Sequence, residues 1–258
     1  MSARFPNPRH VLITGASSGL GAALARDYAE PGRRLALSGR NAERLAAVAA
    51  ACRERGAEVL AEPLDVTDRP ALHAWIAAAE ARHPLDLVLA NAGTSAGTGR
   101  TGFESAEQTR RILATNIDGL VETVMPALEA MRGRRHGQLG LVSSVAGYRG
   151  FPGAPAYCAS KAFVKVWGEA LRGQLQRDGI GVSTICPGYV ATPMTAVNRF
   201  PMPFLMSPEK AARIIRRGLA RDRARIAFPW PTAFGAWLAG TLPPAWTDPL
   251  LSRLPAKE

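Results

Sequence analysis

Short β-branched or aliphatic runs alternate along this chain with longer stretches of helical character. Strands are predicted at His10–Thr14, Arg34–Ser38, Glu58–Pro63, Leu85–Ala90, Gln138–Ser143 and Gly181–Cys186. Helices are predicted at Leu20–Glu30, Ala42–Arg55, Pro70–Arg82, Ser105–Met131, Ala156–Gln176 and Pro208–Arg217, the third opening on a proline suited to a first turn. This alternation predicts an α/β fold, a parallel sheet covered by helices. No internal repeat or linker divides the chain, so residues 1–258 are expected to form one domain.

Two stretches break the pattern. Thr192–Met206 carries Met194, Phe200, Met202, Phe204, Leu205 and Met206 without a clean period. With the helix after it, residues 194–217 are expected to form a mobile flap. Residues 227–258 form an aromatic, proline-rich tail with Phe228, Trp230, Phe234, Trp237, Leu238, Leu242 and Trp246, and five prolines between Pro229 and Pro249. The tail is expected to pack on the body or on a partner subunit. The alternatives are a cover over the mouth of a site and peripheral contact with a membrane surface.

Composition narrows the classes. At 258 residues, 47% apolar and 21% charged, the chain can bury one large core. No apolar run approaches the roughly 20 residues of a membrane span. The stretch Met1–His10 is short and holds Pro6 and Pro8, so it does not read as a signal peptide. Cys52, Cys158 and Cys186 lack metal-ligand spacing, so no metal site is expected and a reducing cytoplasm fits. The net charge of +11 comes from 28 Arg, the 32 basic residues less four Lys. They are scattered, without a basic block or an aromatic stacking surface, which argues against a nucleic-acid partner. An anionic small molecule or an anionic surface would be attracted.

Thr14-Gly15-Ala16-Ser17-Ser18-Gly19-Leu20-Gly21 follows a strand and opens a helix, the setting of a phosphate-binding turn. Glycines let the backbone turn tightly and approach a pyrophosphate, and the helix N-terminus favours the anion. The same letters fit a Gly15-x-Ser17-x-Gly19 nucleophile elbow, which would need an Asp and then a His downstream. About 20 residues beyond such a loop, an acid binds a ribose 2′-hydroxyl and an Arg accommodates a 2′-phosphate. Here Gly39 stands where the acid would be and Arg40 follows, which favours NADP(H) over NAD(H).

Tyr157 and Lys161 are separated by one helical turn and share a face. A phenol titrates near pH 10 in water, and an ammonium beside it is expected to lower that value. Tyr157 is therefore a candidate general acid/base.

In their order these motifs resemble the short-chain dehydrogenase/reductase family, from His10 to about Arg217. The matching pieces are Thr14–Gly21, Asp65-Val66, Asn91-Ala92-Gly93, Asn116, Ser144, Tyr157-x-x-x-Lys161 and Pro187-Gly188. The resemblance implies a Rossmann-type, doubly wound parallel sheet of about seven strands, a nicotinamide cofactor and a homodimer or homotetramer. It implies reversible hydride transfer between a carbonyl and an alcohol, with Tyr157 exchanging the proton and Ser144 stabilising the reacting oxygen. Lys161 would hold the nicotinamide ribose, and Asn116 would support a water-linked relay to it. Asn is a poor helix former, so a local distortion is expected at Asn116. Gly15, Ser17, Ser18, Gly19, Leu20, Gly21, Arg40, Asp65, Val66, Asn91, Ala92, Gly93, Pro187, Gly188, Val190 and Thr192 would contact the cofactor. Ala90 stands where the family commonly has another Asn. Met194, Phe200 and Phe204 would line a pocket for a lipophilic ketone or aldehyde. The alternatives are a non-catalytic NADP-binding module, a membrane-surface module and, remotely, the serine hydrolase.

Overall fold

The computed structural model describes residues 4–5, 7–99 and 102–253. Seven parallel strands form one sheet: β1 (His10–Ile13), β2 (Arg34–Ser38), β3 (Glu58–Glu62), β4 (Leu87–Ala90), β5 (Gly137–Val142), β6 (Ile180–Pro187) and β7 (Arg225–Phe228). Their spatial order is β3-β2-β1-β4-β5-β6-β7, a doubly wound sheet whose winding reverses between β1 and β4. The six strands expected from the sequence are present. The seventh is the four-residue run Arg225–Phe228, pairing with Thr184–Pro187 at one edge.

Helices α1 (Gly19–Tyr28), α2 (Ala42–Glu54) and α3 (Arg69–Arg82) follow the first three strands. Asn41 and Asp68 cap α2 and α3 by accepting from Arg44 N at 2.8 Å and Ala71 N at 3.2 Å. The long helix expected over Ser105–Met131 is interrupted. It runs as α4 (Ala106–Leu113), a π turn over Ala114–Asp118, and α5 (Gly119–Arg134). Asn116 lies inside that π turn, where a distortion was expected. Helix α6 (Pro155–Leu175) carries Tyr157 and Lys161, and α7 (Pro193–Ala196) and α8 (Pro208–Ala220) follow β6.

Each face of the sheet has its own apolar layer. Val11, Ile13, Leu35 and Leu87 face Leu24, Ile215 and Leu219; Leu12, Val88, Leu139 and Val182 face Ile76, Val124, Val164 and Leu171. Alternate residues of one strand serve opposite layers, as the pleat requires. Beyond β7 the tail folds into α9 (Trp230–Thr241) and α10 (Pro244–Leu251). No helix among the described residues is long and apolar enough to cross a membrane.

Candidate active site

A cleft of about 350 Å³ opens where the winding reverses, at the carboxyl ends of the strands. One wall is the glycine loop. Gly15 and Gly19 adopt φ of +69° and +54°, which L side chains rarely tolerate. A Cβ on Gly21 would fall 2.3 Å from the Gly15 carbonyl oxygen, so loop and helix approach more closely than a side chain permits. Ser18, the N-cap of α1, makes no side-chain capping bond, and the first turn carries no acid. Those first-turn amides and the bare backbone fit a pyrophosphate. The loop is tied to the end of β4: Asn91 Nδ2 donates to the Thr14 carbonyl at 2.9 Å, and Thr14 Oγ1 accepts from Asn91 N at 3.1 Å and Ala92 N at 3.2 Å.

Gly39, Arg40, Asn41, Arg44, Leu64, Asp65 and Val66 line the cleft's far end. A Cβ on Gly39 would meet Ser17 Oγ at 2.8 Å, a packing reason for glycine where an acid was sought. Arg40 is largely exposed and lies 3.8 Å from Asp65, whose carboxylate also accepts from Thr67 N at 3.0 Å. Arg44 was not anticipated. It enters because Asn41 caps α2 and starts that helix at the cleft edge, bringing a second guanidinium beside Arg40. Its spacing of four from Arg40 was the available signal.

The other end brings together Asn91, Ala92, Gly93, Ser144, Tyr157, Lys161, Pro187, Gly188, Val190, Thr192 and Met194. The Ser144 and Tyr157 side chains are hydrogen-bonded to each other, and Ser144 Oγ also accepts from Ala146 N at 3.1 Å. Ser143 is used differently, donating its hydroxyl to the Lys161 carbonyl at 2.7 Å and so fastening β5 to α6. Lys161 is buried, donates to the Val142 carbonyl at 3.0 Å, and lies 5.7 Å from the Tyr157 ring centre. Asn116 is fully buried. Its Oδ1 accepts from Thr94 N at 2.7 Å, and its Nδ2 donates to Thr94 O at 2.9 Å and Ser160 Oγ at 3.0 Å. A Cβ on Gly93 would stand 3.3 Å from Asn116 Oδ1 and 3.4 Å from Lys161 Nζ, so these two groups meet the same bare stretch of backbone.

The electrostatics correct one expectation. Burial pushes the Tyr157 phenol up to about 12, against which the Ser144 hydrogen bond pulls down. Burial likewise pushes the Lys161 ammonium down to about 8. Desolvation penalises both charged forms and outweighs the attraction expected from a neighbouring cation. Ser144, rather than Lys161, is the group that lowers the phenol.

Two flap residues stand away from the cleft lining. Phe200 packs edge-on against Tyr189, with ring centres 6.2 Å apart, and Phe204 is 59% exposed at φ +59°. The flap has a fixed base, where Met206 N donates to Tyr189 O at 3.1 Å and Ala191 N to Met206 O at 2.9 Å. Among the described residues no histidine lines the cleft around Ser17; His73 instead meets Glu122 at 2.7 Å. The hydrolase alternative therefore lacks its base.

The family model described as short chain dehydrogenase matches residues 9–201. This chain is a short-chain dehydrogenase. As such it is an oxidoreductase, of a family whose ketoreductase members act on carbonyl and alcohol groups. It is 40% identical over 247 residues to an uncharacterized oxidoreductase of Myxococcus xanthus, covering 95% of this chain and 97% of that one. It is 37% identical over 186 residues to a putative ketoacyl reductase of granaticin polyketide synthesis in Streptomyces violaceoruber, covering 71% of this chain and 68% of the relative. A variant of the actinorhodin polyketide ketoreductase, solved with NADPH, superimposes with a TM-score of 0.76 at 28% identity, covering 88% of this short-chain dehydrogenase and 97% of its own chain.

Proposed function

We propose that this chain is an NADP(H)-dependent reductase of lipophilic ketones or aldehydes, with Tyr157 as the proton donor. The observation that carries the reading is the Ser144–Tyr157 hydrogen bond within a cleft that also holds Lys161 and the glycine cradle. The Ser18–Gly21 turn would hold the pyrophosphate, Arg40 and Arg44 a 2′-phosphate, and Lys161 the nicotinamide ribose. Pro187, Gly188 and Thr192 would flank the nicotinamide. When bound there, the cofactor supplies the hydride.

The residues of the chain handle the proton. With its pKa pushed to about 12, Tyr157 is a neutral phenol at physiological pH, able to donate to a carbonyl oxygen as charge grows on it. Ser144 Oγ donates to the same oxygen and stabilises that charge. Lys161, with a pKa of about 8, is the stronger acid and can return a proton to the tyrosine. Asn116, facing Gly93 beside Lys161, positions the backbone along that route.

Met194 at the cleft, with exposed Val197, Phe204 and Leu205 in the same segment, supports an apolar substrate. Assembly as a dimer or tetramer on α5 and α6 belongs to the same reading, supported by Met125 and Val166, exposed on those helices. The test is loss of NADPH absorbance with a panel of ketones and aldehydes of rising chain length. Turnover that improves with apolar length and favours NADPH over NADH is expected. Absence of turnover with every carbonyl, or a clear preference for NADH, overturns it.

A further inference from the structure

Helix α9 is built the wrong way round for a helix packing on its own domain. Its large residues Trp230, Phe234, Trp237 and Leu238 recur at spacings of four, three and one, which puts them on one face. They are 76%, 54%, 47% and 41% exposed. Small residues, Thr232, Ala233, Ala236 and Ala239, are the partly buried ones. A core-seeking amphipathic helix does the reverse. On α10, Trp246 and Leu250 are 72% and 67% exposed. At 150–250 Å² per aromatic side chain, these six residues leave on the order of 700 Å² of apolar surface in water. Exposed large apolar residues concentrated on two consecutive helices are more than the singly scattered ones a surface ordinarily carries.

The patch adjoins the site. A Cβ on Gly188 would meet Pro229 at 3.1 Å and Thr232 at 3.4 Å, and a Cβ on Gly240 would fall 2.4 Å from the Tyr148 carbonyl. Helix α9 thus lies between the segment after β6 and the segment after Ser144. The flap springs from the same place, closed by the Val190–Met206 bridge, and adds exposed Val197, Phe204 and Leu205. Helix α9 and the flap are thus both attached beside the segment after β6 that lines the cleft.

Charge says what covers them. Helix α9 has no charged residue, and the one on α10, Asp248, is paired with Arg149 at 2.5 Å. Exposed Arg253 follows Trp246 and Leu250, and the whole chain carries +11. An anionic bilayer attracts a chain of this charge. Uncharged, tryptophan-rich faces are the kind that settle at the boundary of headgroups and acyl chains. We propose that α9, α10 and the flap tip dock this protein onto an anionic lipid surface with the cleft mouth facing the bilayer. Collection of an apolar carbonyl from the bilayer is a consequence that rests on the function proposed above; the docking does not.

The test uses the full-length protein with vesicles of phosphatidylglycerol and phosphatidylcholine, and with vesicles of phosphatidylcholine alone. Co-sedimentation with the anionic vesicles is expected, weakening as salt rises, with a blue shift of tryptophan emission. A W230S/W237S/W246S variant should lose at least tenfold in vesicle affinity. Turnover of a short, water-soluble ketone with NADPH should be unchanged in that variant, since none of the three lines the cleft. Failure to bind anionic vesicles overturns the proposal. So does sedimentation velocity in which the triple variant lowers the oligomeric state, because a second copy then covers the face. A protein that binds vesicles yet reduces no carbonyl leaves the docking standing and overturns only the proposed activity.

Discussion

Lys161, one turn after Tyr157 on α6, donates to the Val142 carbonyl at 3.0 Å while lying 5.7 Å from the centre of the tyrosine ring. The pair is buried deeply enough that each member is held toward its neutral form, the phenol up to about 12 and the ammonium down to about 8. Carbonyl reduction, which uses the neutral phenol, should hold steady from about pH 6 and fall through about pH 8 as Lys161 loses its proton. Alcohol oxidation, in which Tyr157 must pass a proton on, should rise through about pH 8 as neutral Lys161 becomes able to accept it. Rate profiles of kcat/KM in both directions check this; reduction that climbs through pH 8 contradicts it.

The same burial makes a stability prediction. Lys161 has a folded-state pKa below its ordinary 10.5, so the unfolded chain binds more protons between about pH 8 and 10.5 and stability contributed by this group rises with pH there. Below about pH 8 the penalty for the buried ammonium is present in full. It amounts to roughly 3 kcal/mol, at 1.36 kcal/mol per tenfold change in proton affinity. Lys161→Met is expected to raise Tm at pH 7 while removing turnover, and the gain over wild type should shrink by pH 10. Thermal melts at the two pH values decide; a variant less stable than wild type at pH 7 refutes the account.

Tyr157→Phe removes the proton donor and leaves the ring in place. Turnover should fall by roughly 10²–10⁴-fold, the usual worth of a positioned general acid, with NADPH affinity nearly intact. Ser144→Ala should lose roughly 10²–10³-fold by removing both an oxyanion donor and the hydroxyl bonded to the phenol. Steady-state kinetics beside cofactor fluorescence titration separate the two effects. Retained turnover in Tyr157→Phe would remove the mechanism.

At the other end of the cleft, Arg40→Asp should weaken NADPH roughly ten- to a hundredfold, the loss of one or two charge-assisted hydrogen bonds. NADH should be little changed. Arg44→Ala should act in the same direction. Gly39→Asp should be a poor route to NADH, because its Cβ would crowd Ser17 Oγ at 2.8 Å. Equal loss for both cofactors in Arg40→Asp would refute the assignment.

Asn116→Ala should cost stability as well as rate. It leaves the Thr94 N–H and carbonyl without the partners they have at 2.7 and 2.9 Å, a penalty of about 1–3 kcal/mol. For a chain of this size each kcal/mol corresponds to roughly 2–4 °C in Tm. An unchanged melting temperature would show that the side chain does not hold the π turn to the strand end.

What could be read from the letters alone is what local chemistry encodes. The glycine loop, the Tyr157–Lys161 pair and six strands announce themselves within a few residues, while Ser144 and Asn116 were singled out by the family resemblance. Strand β7 escaped, because four residues beginning with Arg225 carry too little pattern and are held chiefly by pairing with β6. Arg44 escaped because its place in the cleft follows from where α2 starts, not from its neighbours in sequence. The sign of the Tyr157 shift was misjudged for a related reason: spacing reports that a cation is near, whereas depth below the surface sets the desolvation that opposes it. Depth is a property of packing among distant segments. So is the orientation of α9, whose aromatic content is plain in the chain but whose outward face was settled only by what the sheet had already covered.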